Sequence, residues 1–217
     1  MSVDIVVPTF NRKRFEKLIS YNITCQTYPC INSVLVGDDG CDEQLDLQIP
    51  YTVAYYTMDR CSIGAKRNFL VSQSTADYVC FMDTDDLYHP DYISNSIWNL
   101  LTSGKSVSGS SDMLLTKNGK DVYLQRCIYM DLLNEATLVF KRSFFDTHKF
   151  ANTMSSEGST FLKDAISDII ETPIEEIMIC ICHDANTVPK EVWLNQDAIA
   201  PVNMEVYTTH LNIYTNL

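Results

Sequence analysis

The chain has 217 residues, a formal net charge of −12, 46% hydrophobic residues and 20% charged residues. This length and composition are typical of a globular domain and exclude a disordered or fibrous chain. The acidic balance argues against nonspecific binding to nucleic acid or to an anionic membrane, since both need clustered Lys and Arg.

Neither a membrane anchor nor a disulfide framework is evident in the sequence. No stretch reaches the roughly 18 uncharged apolar residues that span a bilayer, and the start of the chain lacks the basic and apolar regions of a signal peptide. We therefore expect no membrane span and a cytoplasmic location. The eight cysteines form no Cys-x-x-Cys pair, so the pattern favours reduced thiols over disulfides or a zinc site.

The first half of the chain alternates strand-like and helix-like segments. We predict strands over 3–7, 33–36, 51–56 and 78–82, and helices over 12–27, 63–73 and 90–103. Ser62 is the predicted N-cap of the second helix. This alternation is typical of a parallel sheet flanked by helices and joined by right-handed crossovers.

The second half of the chain has a less regular pattern. We predict a hairpin over 107–122 with a type I′ turn at Asn118 and Gly119, a strand over 138–140, an amphipathic helix over 161–170 and a strand over 177–182. No repeat, low-complexity tract or linker interrupts the sequence, so we expect one domain over 1–217.

The segment from Tyr78 to Asp86 carries the strongest chemical signal. A short apolar strand ends there in three carboxylates, those of Asp83, Asp85 and Asp86. Carboxylates this close repel one another unless a cation lies between them, and Mg²⁺ is commonly held by one or two carboxylates together with substrate phosphates. Ligands of open α/β sheets bind at the carboxyl ends of strands. The sequence therefore predicts a site for Mn²⁺ or Mg²⁺ and a diphosphate.

Three other polar segments follow predicted strands or open a predicted helix. A parallel sheet would bring all of them to the edge that carries the acidic turn. Asp38 or Asp39 would accept a hydrogen bond from the N–H of a nucleobase. Lys66 and Arg67 would supply positive charge for a diphosphate, and the planar fork of Arg suits that geometry.

Four segments carry a resemblance to a known family. They read Val-Val-Pro-Thr-Phe-Asn-Arg at 6–12, Gly-Asp-Asp-Gly at 37–40, Ile-Gly-Ala-Lys-Arg-Asn at 63–68 and Met-Asp-Thr-Asp-Asp at 82–86. In this order and spacing they resemble the family 2 glycosyltransferases of GT-A fold, over about the first hundred residues. The resemblance implies an α/β chain with a single Rossmann-like, mostly parallel central sheet. It also implies an inverting enzyme that takes a sugar from a nucleotide diphosphate, usually UDP, with Mn²⁺ or Mg²⁺ as cofactor.

The same resemblance implies roles for single residues. The donor-binding set would be Pro8, Thr9, Phe10, Arg12, Asp38, Asp39, Lys66, Arg67, Asp83 and Thr84. Within it, Thr9 and Asp39 would hold the uracil with Asp38 beside it, and Arg67 would lie near the diphosphate. The metal ligands would be Asp83, Asp85 and the late His183, with Asp86 in support.

The general base is the point at which the sequence departs from the family pattern. The family usually carries Glu-Asp at the start of a helix, and the Asp takes the proton of the acceptor hydroxyl. Here Gly158 stands at the position of that Asp, directly after Glu157. Glu157 is the nearest carboxylate and the first candidate for the base, and Asp164 is the reserve candidate.

Three functions stay open from the sequence. The first is a metal-dependent glycosyltransferase with a UDP-sugar donor and a glycan or glycoprotein acceptor. Its nucleotide-sugar-binding half would be 1–104, and 105–217 would form the acceptor-binding half and the C-terminal tail. The second is a non-catalytic module that binds a nucleotide sugar or glycan, which Gly158 favours. The third is a sugar-1-phosphate nucleotidyltransferase, disfavoured because the loop over 8–12 lacks glycine.

Three further expectations concern the chain's size and its remaining side chains. The small size resembles the transferases of large DNA viruses, which implies the cytoplasm of a host cell. Trp98 and Trp193 are expected to pack in the interior or to line an acceptor groove. Cys180 and Cys182 are expected to lie in the core, on one side of a strand.

Overall fold

The structure is a computed structural model that describes residues 1–40, 43–126, 133–186 and 202–216. Its strands are β1 (Val3–Thr9), β2 (Ile31–Asp38), β3 (Thr52–Thr57), β4 (Tyr78–Phe81), β5 (Leu87–Tyr88), β6 (Val107–Gly109), β7 (Met113–Thr116), β8 (Tyr123–Gln125), β9 (Val139–Lys141), β10 (Ile169–Glu171) and β11 (Met178–Ile181). Its α-helices are α1 (Glu16–Thr24), α2 (Ile63–Gln73), α3 (Tyr92–Ser103), α4 (Gly158–Phe161) and α5 (Thr208–Tyr214).

The main sheet has seven strands in the order β10-β6-β9-β4-β1-β2-β3. Strands β4, β1, β2 and β3 are parallel to one another, whereas β9 runs antiparallel between β4 and β6. All seven residues of β1 are buried, as expected for a central strand covered on both faces. The mostly parallel sheet predicted from the sequence is confirmed.

A buried carboxylate fastens the amino end of β1 to its neighbours. Asp4 is 1% exposed and accepts hydrogen bonds from Ser33 Oγ and Ser74 Oγ, both at 2.7 Å, and from Asn32 Nδ2 at 2.8 Å. Burial by itself would raise the pKa of Asp4, but these donors outweigh it and lower the pKa. Asp4 is therefore a structural anion, far along the strand from the sheet edge that ends at Thr9.

A second sheet of four strands, β5-β11-β7-β8, lies beside the main one. Its strand β5 follows the acidic turn directly and pairs with β11 in antiparallel fashion. Asp86 strengthens this connection, because its Oδ1 accepts the N–H of Ile181 at 3.0 Å. The end of β11, and with it His183, is thus brought to the acidic turn.

The helices of the first half agree closely with the sequence prediction. Helix α2 spans the predicted residues, and Ser62 caps it by accepting the N–H of Ala65 at 3.1 Å. The predicted helix over 12–27 begins with the single 3₁₀ turn Lys13–Phe15 before α1. Helix α3 ends at Gly104, whose φ of +73° suits a left-handed C-cap.

The predicted hairpin over 107–122 is only partly correct. Its arms are β7 and β8, whereas β6 joins the main sheet. The turn is not type I′, because that turn needs positive φ at both central residues and only Gly119 has it, at +70°. Instead, Asn118 Oδ1 accepts the N–H groups of Lys120 and Asp121, so a side chain replaces the backbone contact.

The predicted helix over 161–170 is wrong. Helix α4 ends at Phe161, and Asp164 has a φ of +60°, which no α-helix tolerates. The apolar residues that suggested a helix do reach the core, since Phe161, Leu162 and Ala165 are buried. Strand β10 then pairs with β6, so a tertiary strand pairing prevails over the local periodicity.

Two apolar clusters cover the two faces of the main sheet. Ile5 and Val7 belong to one cluster and Val6 to the other, as the two-residue period of a strand requires. None of the six cysteines in the described segments forms a disulfide, and Cys180 and Cys182 are buried as expected. Trp98 is 67% exposed on α3, so the expectation that it packs is wrong. Trp193 lies outside the described residues.

Among the helices that the structure describes, none is both long enough and apolar enough to cross a bilayer.

Candidate active site

A cavity of about 960 Å³ opens at the carboxyl ends of β1 and β4. Its wall combines the loop over 8–12, the start of α2, the acidic turn over 83–86, the segments over 133–136 and 154–159, and parts of the β7–β8 hairpin. The volume suits a ligand of the size of a nucleotide sugar. Of the four segments that the sequence predicted to converge, the loop over 8–12, the start of α2 and the acidic turn line this cavity, whereas the loop over 38–40 does not.

One end of the cavity is organised around the buried carboxylate of Asp39. Its Oδ2 accepts hydrogen bonds from Arg60 Nη1 and from the N–H of Cys61, both at 3.0 Å, and its Oδ1 is bonded to Lys66 Nζ. Burial would raise the pKa of Asp39, but these three donors outweigh it and lower the pKa. Asp39 lies behind the wall and orients two cations, Arg60 and Lys66, that line the cavity.

The same end of the cavity is also lined by the buried hydroxyl of Thr9 and the aromatic ring of Phe10. Thr9 is 3% exposed, and its Oγ1 finds no hydrogen-bond partner within the described segments. Its carbonyl accepts a bond from Lys66 Nζ at 2.5 Å. The ring of Phe10 lies 3.6 Å below the guanidinium carbon of Arg60. An orphaned hydroxyl beside an aromatic face and two cations is a site prepared for a polar, planar ligand.

Asp38 turns away from the cavity. Its Oδ2 accepts the hydroxyl of Tyr55 at 2.6 Å, and its Oδ1 accepts the N–H of Gly40 at 2.9 Å. Burial and the Asp38 carboxylate together raise the pKa of Tyr55. Both carboxylate oxygens of Asp38 are therefore engaged within the protein, and Asp38 shapes the loop after β2.

The acidic turn presents its carboxylates in three directions. Asp85 Oδ2 lies 3.0 Å from His183 Nε2 and 3.4 Å from Arg12 Nη2. Asp83 has a side chain that is 30% exposed and lies beside Arg67, 3.4 Å from its Nη2. Asp86 points inward to β11, as described above, and Thr84 is buried in the cavity wall. The turn thus joins Asp85 and His183 in space although 97 residues separate them in sequence.

Arg67 is the buried cation opposite the turn. Its side chain is 3% exposed, lies over the ring of Phe81 at 4.8 Å and places Nη1 3.1 Å from Glu157 Oε1. Burial opposes its charge, but the carboxylates of Asp83, Glu157 and Glu135 outweigh that cost and raise the pKa of Arg67. Its Nε and Nη1 nevertheless have no hydrogen bond within the described residues. An unsatisfied, buried guanidinium can accept an anionic ligand.

Glu157 and Glu135 complete this side of the cavity. Glu157 is 4% exposed, and burial raises its pKa, with Arg67 acting in the opposite sense. Glu135 comes from the segment before β9, and its Oε1 accepts the N–H of Gly158 at 2.9 Å. Both carboxylates line the cavity. Asp164, the reserve candidate for a base, is exposed and is not part of this wall.

The donor set of the turn fits a divalent cation shared with a substrate. No group of three or more His, Cys, Asp and Glu side chains is arranged for a metal in the segments that the structure describes. Asp85 and His183 do meet at 3.0 Å, with Asp83 on the same turn. The carboxylate oxygens of the turn, completed by diphosphate oxygens, match the hard oxygen ligands that Mg²⁺ and Mn²⁺ prefer.

Sequence reasoning missed three residues of this site: Arg60, Cys61 and Glu135. The first two directly precede the capping Ser62, so a search of the residues ahead of a predicted helix at the sheet edge would have found them. Glu135 follows Asn134, a typical capping residue, just before a predicted strand. Its position in space depends on the placement of β9, which local pattern does not give.

A family model described as glycosyl transferase family 2 matches residues 4–147. An uncharacterized glycosyltransferase of Rickettsia bellii (strain RML369-C) is 24% identical over 127 residues, which is 56% of this chain and 18% of the relative. The chain thus spans less than a fifth of the length of that curated relative.

Solved structures with a similar fold cover nearly all of the chain. S. aureus TarS 1–349, crystallised in complex with UDP-GlcNAc, has a TM-score of 0.66 at 16% identity, over 100% of this chain and 67% of that one. The mannosyltransferase PcManGT from Pyrobaculum calidifontis, in complex with GDP-Man and Mn²⁺, has a TM-score of 0.63 at 17% identity, over 98% and 68%. At these identities, the likeness concerns the fold.

Proposed function

The chain belongs to glycosyl transferase family 2 and has the GT-A fold, and we propose that it transfers a sugar from a UDP-sugar to a hydroxyl of a glycan or glycoprotein. The observation that carries this proposal is the pairing of the acidic turn with a buried cation across one cavity. Asp83 and Asp85 supply anionic ligands, and Arg67 faces them from α2. A diphosphate with a divalent cation is the ligand that satisfies both.

We propose that the other end of the cavity binds uridine. We propose that the uracil lies along Phe10 and takes hydrogen bonds from the Thr9 hydroxyl and from the cations that Asp39 holds. A pyrimidine has two carbonyl oxygens, and Arg60 and Lys66 are donors. The neighbour TarS was crystallised with UDP-GlcNAc, in line with this choice, whereas PcManGT was crystallised with GDP-Man.

Asp83, Asp85 and His183 are the residues that would hold Mn²⁺ or Mg²⁺. A bound divalent cation would act as a Lewis acid and offset the charge that develops on the departing diphosphate. Arg12 holds Asp85 in place from one side, and Arg67 offers its fork to phosphate oxygens from the other. These positioned cations would stabilise the same negative charge without reorganising during the reaction.

The chemistry that follows is a single displacement. The acceptor hydroxyl attacks the anomeric carbon, the bond from that carbon to the diphosphate oxygen breaks, and a carboxylate of the cavity takes the hydroxyl proton. Because one displacement occurs, the anomeric configuration inverts. Among the described residues, two carboxylates near Arg67 line the cavity outside the acidic turn. They are Glu157 and Glu135. Residues 1–104 would bind the donor, and 105–217 would bind the acceptor.

A screen of donors tests this proposal. UDP-GlcNAc, UDP-glucose, UDP-galactose and GDP-mannose are each incubated with the protein and Mn²⁺, and nucleotide release is measured with and without EDTA. We expect Mn²⁺-dependent release of UDP from at least one UDP-sugar. Tight UDP binding without sugar release from any donor would instead favour the non-catalytic module. Formation of a UDP-sugar from UTP and a sugar phosphate would favour the nucleotidyltransferase, for which the family match gives no support.

A further inference from the structure

Two carboxylates reach the acceptor side of the cavity, and different contacts hold them. Glu157 is 4% exposed, and its Oε1 lies 3.1 Å from Nη1 of the buried Arg67. A carboxylate that serves as counter-ion to a buried guanidinium stabilises the site by keeping its charge. Taking up a proton would leave more of the charge of Arg67 uncompensated. Glu157 is therefore placed to position Arg67.

Glu135 enters the same space from a different element. It begins the 3₁₀ turn Glu135–Thr137, which Asn134 caps by accepting the N–H of Ala136 at 3.1 Å. Its Oε1 accepts the N–H of Gly158 at 2.9 Å, and no hydrogen bond or ion pair engages its Oε2 among the described residues. One oxygen is thus held by the backbone, and the side chain lines a cavity large enough for a substrate. A general base needs this combination of fixed direction and free acceptor.

Gly158 leaves open the space that Glu135 occupies. A Cβ built at position 158 would lie 2.8 Å from both Cγ and Oε1 of Glu135, closer than such atoms approach in proteins. The φ of Gly158 is not positive, so a side chain at position 158 would leave the backbone unstrained but would displace the carboxylate of Glu135. The carboxylate of Glu135 therefore lies where a side chain at 158 would begin.

We propose that Glu135 is the general base of the sugar transfer and that the glycine at 158 exists to admit it. This inference rests on the proposed glycosyl transfer and names the residue that performs its proton step. The acceptor O–H bond breaks and its proton moves to Glu135 Oε2, while the oxygen forms a bond to the anomeric carbon. The bond from that carbon to the diphosphate breaks, and the nucleoside diphosphate leaves with the electron pair.

The test compares Glu135→Gln with the wild type in two measurements. The glutamine keeps an oxygen for the Gly158 N–H but takes no proton at neutral pH. We expect turnover of the UDP-sugar found in the donor screen to fall about 100-fold or more. We expect the Kd for UDP with Mn²⁺, measured by calorimetry, to stay within twofold. Glu205→Gln, an exposed carboxylate outside the cavity wall, is the matched control and should change neither value.

A second pair of variants separates a catalytic role from a structural one. Glu135→Ala should lose turnover. The double variant Glu135→Ala, Gly158→Asp should turn over the donor at least ten times faster than Glu135→Ala, because position 158 then places a carboxylate in the vacated space. A structural role at Glu135 would not be rescued from another element. The double variant counts as correctly folded if it unfolds at the same urea concentration as the wild type. If it is folded but no faster than Glu135→Ala, the inference is overturned.

The remaining outcomes distinguish this inference from the function on which it rests. Turnover by Glu135→Gln within threefold of wild type would overturn the assignment and leave the glycosyl transfer intact. An equal loss in turnover and in UDP affinity would make Glu135 a donor-binding residue and would also overturn it. A wild-type protein that binds UDP but turns over no donor contradicts a general base at any position. A wild-type protein that does not bind UDP contradicts the proposed function itself.

Discussion

At the scale of single residues, charge balance around Arg67 is the feature on which the candidate site depends. The guanidinium is buried between Asp83 and Glu157, and it retains N–H groups without hydrogen bonds in the described segments. A buried cation whose N–H groups outnumber their hydrogen-bond acceptors destabilises the folded protein unless an anion binds to it. The proposed diphosphate would offset this cost by accepting hydrogen bonds from these N–H groups.

The coupling between Arg67 and Glu157 gives the first prediction. Arg67→Met should lower the free energy of unfolding by about 3 kcal/mol, because Glu157 is left as a buried charge without its cation. Glu157→Gln in the same chain should recover a large part of that loss, since the buried charge is then removed as well. Urea denaturation of the two single variants and the double variant measures the coupling. Simple additivity of the two single effects would show that the ion pair is not coupled.

The second prediction concerns Asp39 and its neighbour in sequence. Asp39→Asn should raise the Kd for UDP at least tenfold, because Arg60 and Lys66 lose the charge that orients them. Asp38→Asn should change the Kd less than threefold, since its contacts are Tyr55 and Gly40. Calorimetric titration of both variants with UDP and Mn²⁺ checks the contrast. Equal losses in the two variants would contradict the division of roles between these adjacent carboxylates.

At the scale of elements, the site depends on contacts between α2 and the segment over 150–157. Asn68 exchanges hydrogen bonds with the backbone of Phe150, at 2.9 and 3.0 Å. The N–H of Ala151 donates to the carbonyl of Glu157 at 3.0 Å. These bonds fix the distance between the element that carries Arg67 and the segment that carries Glu157.

Gly64 makes this contact possible and gives the third prediction. A Cβ at position 64 would lie 1.7 Å from the carbonyl oxygen of Ala151, so Gly64→Ala must displace the segment. In an ordinary helix, Gly→Ala stabilises by about 0.5–1 kcal/mol. Here we expect the opposite sign, a loss of about 1–3 kcal/mol in the free energy of unfolding. Weaker UDP binding should accompany it, and a stabilising effect in urea denaturation would refute the close contact.

Helix α5 is held against α1 by a buried histidine, which gives the fourth prediction. His210 is fully buried, its ring lies 4.7 Å from that of Tyr21, and burial lowers its pKa to about 4 from 6.5. The unfolded chain thus binds a proton between these pH values and the folded chain does not. Stability should therefore fall by about 3 kcal/mol as the pH drops from 6.5 to 4.

His210→Phe is the variant that checks this origin of the pH dependence. It fills the same space without a titrating nitrogen, so the part of the slope between pH 6.5 and 4 that His210 causes should disappear. Urea denaturation at several pH values measures the slope in both proteins. Carboxylates with lowered pKa, such as Asp4, act at lower pH and are common to both. An unchanged slope in His210→Phe would assign the effect to other groups.

At the scale of the whole molecule, the first half of the fold follows from the sequence more closely than the second half, in which the predicted strands over 138–140 and 177–182 are present as β9 and β11 but the predicted helix over 161–170 is not. Apart from the two-residue β5, the strands and helices up to residue 103 were predictable, because apolar residues recur at the period of the element or a capping residue marks its start. The segment around Asp164 was not, because its apolar residues meet the core through a strand pairing with β6 that lies far away in sequence. Long-range pairing is invisible to a local pattern.

The candidate site divides in the same way. The sequence could predict that several site residues lie together, since residues that follow parallel strands converge on one edge of the sheet. These residues are Thr9, Arg67, Asp83 and Asp85. The opposite direction of the adjacent Asp38 and Asp39 could not, because it depends on which donors surround each carboxylate in space. The approach of Glu135 to Gly158 likewise depends on the antiparallel insertion of β9 beside β4.

The most direct test of the account is calorimetric titration of UDP with Mn²⁺ or with EDTA, for the wild type and for Asp85→Asn. We predict that Mn²⁺ tightens UDP binding by the wild type at least tenfold. We also predict that Asp85→Asn, which keeps the shape of the side chain and loses its charge, binds UDP about equally in both conditions. An equal affinity with and without Mn²⁺ in the wild type, or a full Mn²⁺ effect in Asp85→Asn, would contradict a cation and diphosphate shared at the acidic turn.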